Sequence, residues 1–75
     1  MKDYEIVYTY LNGCAGSAYP LTDFEEATLS NTDDYIRAKH GKDYDGFVKE
    51  VKPEGQIVYT FHNGAVCHIY EFTEL

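Results

Sequence analysis

The chain has 75 residues, with 13 acidic against 6 basic side chains and a net charge of −7 at pH 7. A chain this short makes one domain with a marginal core, because it buries only about 60% of its unfolded surface. Its acidity repels phosphate and argues against direct binding to nucleic acid.

Two cysteines, Cys14 and Cys67, are too few for a disulfide scaffold. No apolar run is long enough to span a membrane, and the first residues lack a secretory signal pattern. The expectation is a soluble cytoplasmic protein with free thiols. Eight tyrosines and four phenylalanines, with no tryptophan, suit half-buried strands and also binding surfaces.

Residues 4–11 alternate Tyr4, Ile6, Tyr8 and Tyr10 with Glu5, Val7, Thr9 and Leu11, a strand pattern of period two. Asn12 and Gly13 predict a type I′ hairpin turn, since both tolerate positive φ. The return segment, 14–19, is built of small residues and stops at Pro20, as a weak edge strand would. Thr22 with Glu25 three positions on fits a capping box and predicts a short helix over 23–28. Ser30, Asn31 and Thr32 then offer a break and a second cap, with Asp33 and Asp34 placed to complement a helix dipole. That helix should reach His40 and stop at Gly41, with Lys39, His40 and Lys42 at its negative end. The two helical segments read equally as one bent helix or two.

Asp45 and Gly46 mark a turn into a strand over 47–51. Lys52, Pro53, Glu54 and Gly55 place Pro and Gly where a type I turn prefers them. Strands over 56–62 and 65–72, joined at Asn63 and Gly64, complete a meander. The expected fold is α+β: a small antiparallel sheet of four or five strands in the order ββ-α-βββ, with one or two short helices packed on one face.

The segment Ile6-Val7-Tyr8-Thr9-Tyr10-Leu11-Asn12-Gly13 recurs fifty-one positions later as Ile57-Val58-Tyr59-Thr60-Phe61-His62-Asn63-Gly64. This repeat predicts two similar hairpins, one at each end of the chain. A two-residue loop at Asn63 and Gly64 would set Phe61 opposite Val66, Tyr59 opposite His68 and Ile57 opposite Tyr70. The other face would pair Thr60 with Cys67 and Val58 with Ile69. The first face is heavier and should receive the helices. The second, extended by Val7, Thr9 and Leu11, must be shielded by a loop, a partner or a second copy, so a homodimer is expected as one solution.

Catalytic constellations are not evident. Cys67 and His68 are strand neighbours and point to opposite faces, while Cys67 and His62 share a face diagonally with no third group to orient the imidazole. His68 reads as a hydrogen-bonded sheet histidine, His62 as exposed beside its turn and His40 as a helix-end residue. Two distant cysteines and three scattered histidines match no zinc pattern. The glycine-rich stretch 13–17 lacks the Lys-Ser/Thr ending of a phosphate loop. No cofactor or metal is expected.

The acids carry the one distinctive signal. Asp3, Glu5, Asp23, Glu25, Glu26, Asp33 and Asp34 fall in a stretch without a basic residue between Lys2 and Arg37. Carboxylates crowded on a small body can imitate the phosphate array of nucleic acid. Small acidic inhibitors encoded by phages and plasmids against restriction or CRISPR nucleases act in this way, and the chain's size and charge suit that class. The expected function is a non-catalytic module that docks on a basic partner surface through Asp23, Glu25, Glu26, Asp33 and Asp34. The alternative is a homodimeric small-ligand-binding protein or enzyme with an interface pocket lined by tyrosines and His68.

Overall fold

A computed structural model of the chain describes residues 1–12 and 21–75. Its strands are β1 (Lys2–Asn12), β2 (Leu21–Leu29), β3 (Val48–Val51), β4 (Ile57–Asn63) and β5 (Val66–Glu74). Between β2 and β3 lie the helix α1 (Thr32–His40) and a 3-10 segment (Gly41–Gly46). All paired strands are antiparallel, in the order β2-β1-β5-β4-β3. The fold is α+β and mostly strand.

The internal repeat is built into this sheet, and of the two expected hairpins the one formed by β4 and β5 lies wholly within the described residues. Its two copies are β1 and β4, which flank β5 on either side in matching register. Tyr70 of β5 lies between Tyr8 and Tyr59, Phe72 between Ile6 and Ile57, and Ile69 between Thr9 and Thr60. Cys67 likewise lies between Leu11 and His62. One central strand meets the same sequence on both edges, so the similarity of the flanks follows from packing against a common neighbour.

The register of β4 on β5 corrects the expected one by two positions. Asn63 pairs with Val66 and Tyr59 with Tyr70, so Gly64 and Ala65 form the loop. Gly64 has φ 63° and Ala65 is not at positive φ. A glycine at the first central position is the mark of a type II′ turn, which needs only one residue at positive φ. A slip of two positions keeps every side chain on its face, so the assignment of faces stands although the partners change.

Residues 21–29 form a strand, not the helix that Thr22 and Glu25 suggested. The helical signal there spans about six residues, well below the length at which an isolated helix holds itself in water. The ladder with β1, from Lys2↔Leu29 to Tyr10↔Leu21, instead satisfies the backbone of both strands. The expected return strand over 14–19 and the turn residue Gly13 lie outside the described residues.

The helix itself follows its local signals. Asn31 caps it by accepting from the Asp33 N–H at 2.7 Å, and Gly41, at φ 58°, ends it with its N–H donating to the Arg37 carbonyl. Pro53 and Gly55 sit in the turn closed by Gly55 N–H to the Lys52 carbonyl at 2.9 Å.

α1 packs on the heavier sheet face. Ile36 of the helix and Ile6, Tyr59 and Phe72 of the sheet are each at most 1% exposed, with Tyr70 at 5%. A nine-residue helix is roughly 13 Å long at 1.5 Å per residue. The five strands span roughly 19 Å at about 4.8 Å each. One helix therefore covers the middle of one face and leaves the front of β2 open beside it.

Two measurements check the register and the turn. In a Cys14→Ser background, His62→Cys should cross-link to Cys67 under oxidation, because those positions are directly opposite and within disulfide reach. Thr60→Cys should stay reduced, and the reverse result would restore the Asn63-Gly64 loop. Gly64→Val should lower stability by about 1–3 kcal/mol in denaturant titration, the cost of a side chain held in the left-handed region. A Cβ there meets no atom within 4 Å, so the loss would be conformational.

Candidate functional site

The sheet has two chemically distinct sides. On the helix side, tyrosines and histidines from three elements form a continuous cluster. His68 of β5 shares a hydrogen bond through Nδ1 with the Tyr8 hydroxyl at 2.6 Å, and His40, the last residue of α1, shares one through Nε2 with the Tyr70 hydroxyl at 2.7 Å. The two imidazoles lie 5.3 Å apart, and Tyr8 stacks on Tyr70 at 4.6 Å. Burial raises the Tyr8 and Tyr70 hydroxyls above their usual range, and burial followed by the neighbouring His68 lowers His40. These groups spend polar atoms on one another. The arrangement ties the end of α1 to the sheet.

A second network anchors the start of the helix. The Thr32 hydroxyl and the Tyr59 hydroxyl are 2.8 Å apart, and Tyr59 donates to Asp33 Oδ1. With its one proton committed to Asp33, Tyr59 accepts from Thr32. That donated bond holds the Asp33 carboxyl below its ordinary value, against a smaller opposing effect of burial. Lys49 Nζ lies 3.6 Å from the other Asp33 oxygen. Asp33 is therefore a structural residue first.

The five acids expected to bind a partner do not form one patch. Asp23 and Glu25 project from β2 on the helix side, paired across from Tyr8 and Ile6. They line a groove of about 400 Å³ together with Tyr8, Tyr35, Lys39 and Tyr70. Glu25 accepts from the Tyr35 hydroxyl at 3.2 Å and lies 4.0 Å from Lys39 Nζ. Burial, then the charge of Glu25, pushes Tyr35 up to about 12. Glu26 points the opposite way by strand alternation. Asp34 sits at the helix start, paired with Arg37 at 2.9 Å.

The opposite sheet side gathers Glu26 with four acids outside the expected docking set. Strand alternation and the pairings place Asp3, Glu5, Glu26, Glu50 and Glu71 there, and no strand lysine or arginine. Val7, Val58 and Ile69 occupy the middle of this side, flanked by Phe24, 74% exposed, and Val48, 67% exposed. Among the described residues no helix lies over it. Glu5 is directly opposite Glu26, a like-charge pairing that destabilises a sheet. Lys52, from the β3–β4 turn, reaches Glu50 at 3.2 Å. The signal available beforehand was the alternation of Glu5 with Val7 and of Glu71 with Ile69. Order along the chain does not separate the acids by face; pairing between strands does.

Cys67 is buried and His62, its direct cross-strand neighbour, is exposed. Among the described residues no group of three or more His, Cys, Asp or Glu side chains is placed to hold a metal ion, and no helix is long and apolar enough to cross a membrane. No family model matches the chain, and neither a curated protein nor a solved structure matches it significantly.

The two networks make separate predictions. Tyr59→Phe should cost about 1–3 kcal/mol in denaturant unfolding, because it strips buried Thr32 of its partner. For His40 the sign follows from its lowered value: the unfolded chain takes up a proton near pH 6.5 while the folded chain does not, so stability rises with pH across that window. The facing charges are His68, Asp43 and Lys39. The thermal midpoint should therefore drop more between pH 7.5 and 5.5 in the parent than in His40→Phe, which keeps the ring but cannot titrate. An equal drop would mean His40 is not held neutral.

Proposed function

We propose that this protein is a non-catalytic acidic module that binds the basic surface of another protein, with its uncovered sheet side as the docking face. The observation that carries this reading is the composition of that side: an apolar centre of Val7, Val58 and Ile69 among five carboxylates, with no strand lysine or arginine. Apolar area supplies affinity, and charge of one sign selects the partner and speeds encounter.

A rigid sheet holding carboxylates about 5–8 Å apart presents a negative array of the kind that a nucleic-acid-binding groove receives. Inhibition of a nucleic-acid-binding protein, of the anti-restriction or anti-CRISPR type, is the role this favours. Cys67, buried and unpaired, suits a reducing cytoplasmic setting.

The charge also bears on self-association. Two copies meeting through this side would oppose two sets of five carboxylates, so a basic partner fits better than a homodimer. A small-ligand role draws support from the groove between α1 and β2, with its Tyr8, Tyr35 and Tyr70 lining. Stabilisation of the protein by one metabolite in a thermal-shift panel would favour that role instead.

The test begins with capture of the partner and measurement of its affinity against salt. Glu5→Lys with Glu71→Lys should weaken binding about tenfold or more, roughly 1.4 kcal/mol, and flatten the salt dependence. Asp34→Lys, at the helix start, should leave affinity unchanged. Partners that are acidic, or binding indifferent to salt, would contradict the reading. Glu26→Lys should also raise stability by about 0.2–1 kcal/mol, since it converts the Glu5 pairing from like to opposite charge.

A further inference from the structure

The two edges of the sheet are built differently. β3 is four residues long and runs into Lys52 and Pro53, two devices by which natural sheets close an edge to further pairing. β2 is nine residues long, and every residue from Leu21 through Glu26 is exposed. It contains no lysine, arginine or proline. Among the described residues no strand pairs with its outer side.

A long open edge offers a row of backbone donors and acceptors to an incoming strand. The side chains along β2 decide which strand it accepts. Asp23 and Glu25 stand on the helix side and Glu26 on the uncovered side, where it already faces Glu5. A second copy of β2 would bring acids against acids, and like charges opposite one another destabilise a sheet. A basic strand would relieve the repulsion between Glu5 and Glu26.

We propose that β2 binds an extended segment of the basic partner by antiparallel strand addition. The proposal rests on the protein-binding reading above and adds the mode of binding and the sequence class recognised. Read from its N-terminus, the guest carries a basic residue opposite Glu26, a basic residue opposite Glu25, an apolar residue opposite Phe24 and a basic residue opposite Asp23. The first and third of these point to the uncovered side, beside Glu26 and the exposed ring of Phe24. The second and fourth point to the helix side, where the groove holds Asp23 and Glu25 against Tyr8 and Tyr35. A lysine or arginine stem lies along those rings with its charge at the carboxylates. Lys39, 4.0 Å from Glu25, borders the same groove, which makes Asp23 the stronger anchor of the two.

The test titrates the full ¹⁵N-labelled chain with the peptide Thr-Val-Lys-Arg-Val-Lys-Val-Thr. Two analogues, N-methylated at alternate residues in either phase, remove the ladder donors on one side or the other. The expected result is amide shifts and slowed hydrogen exchange in β2, with one of the two analogues failing to bind. Glu25→Lys with Glu26→Lys should weaken the peptide at least tenfold while the spectrum stays dispersed. The proposal is overturned if both analogues bind like the parent peptide, or if no peptide binds at millimolar concentration. Shifts confined to Val7, Val58 and Ile69, with β2 exchange unchanged, would also overturn strand addition while leaving the docking face in place. A dimer seen by light scattering without peptide, with β2 protected, would give this edge to a second copy and overturn it too.

Discussion

The structure hangs on β5. Its two neighbours, β1 and β4, carry the two copies of one repeated sequence. Because each copy reads β5 in the same register, tyrosine meets tyrosine and isoleucine meets phenylalanine on both sides of the same central positions. A strand alternates its side chains strictly, so fixing β5 fixes the faces of its neighbours as well. The tyrosines of β1, β4 and β5 fall on the helix side, and Val7, Val58 and Ile69 fall with five carboxylates on the other.

Among the described residues, that division leaves one α-helix for two faces. Ile36 fills the centre of the covered face, while the Thr32–Tyr59–Asp33 network and the His40–Tyr70 bond pin the helix at its two ends. Both pins join a helix-end side chain to a tyrosine of the sheet, so the helix and its network support one another. The buried set is small, which makes each of its members costly to lose. The opposite face has no equivalent cover among the described residues.

Much of this was legible in the sequence, for stated physical reasons. Period-two alternation marked β1, β4 and β5, and the Asn31 cap and Gly41 stop marked α1, because these signals are local and the structure does not override them. β2 was misread because Thr22 and Glu25 carry a local helical pattern that a nine-position ladder with β1 outweighs. The register of the last hairpin was misread because Asn63-Gly64 suits two neighbouring turn types, and only the backbone shows which residue takes positive φ. The acidity of the proposed docking face was legible in the sequence, but the grouping of its acids by face was not. Counting acids along the chain selected Asp23, Glu25, Glu26, Asp33 and Asp34, whereas β pairing gathers Glu26 with Asp3, Glu5, Glu50 and Glu71, which are distant in sequence.

One face of this sheet is a core, and among the described residues the other is open. Methyl NMR of the isolated protein with a soluble paramagnetic probe tests it without any partner. The methyl groups of Val7, Val58 and Ile69 should broaden strongly, while those of Ile6 and Ile36, at most 1% exposed, should remain sharp. Equal protection of both sets, at a concentration where light scattering reports a monomer, would show the second face covered from within and would contradict the account.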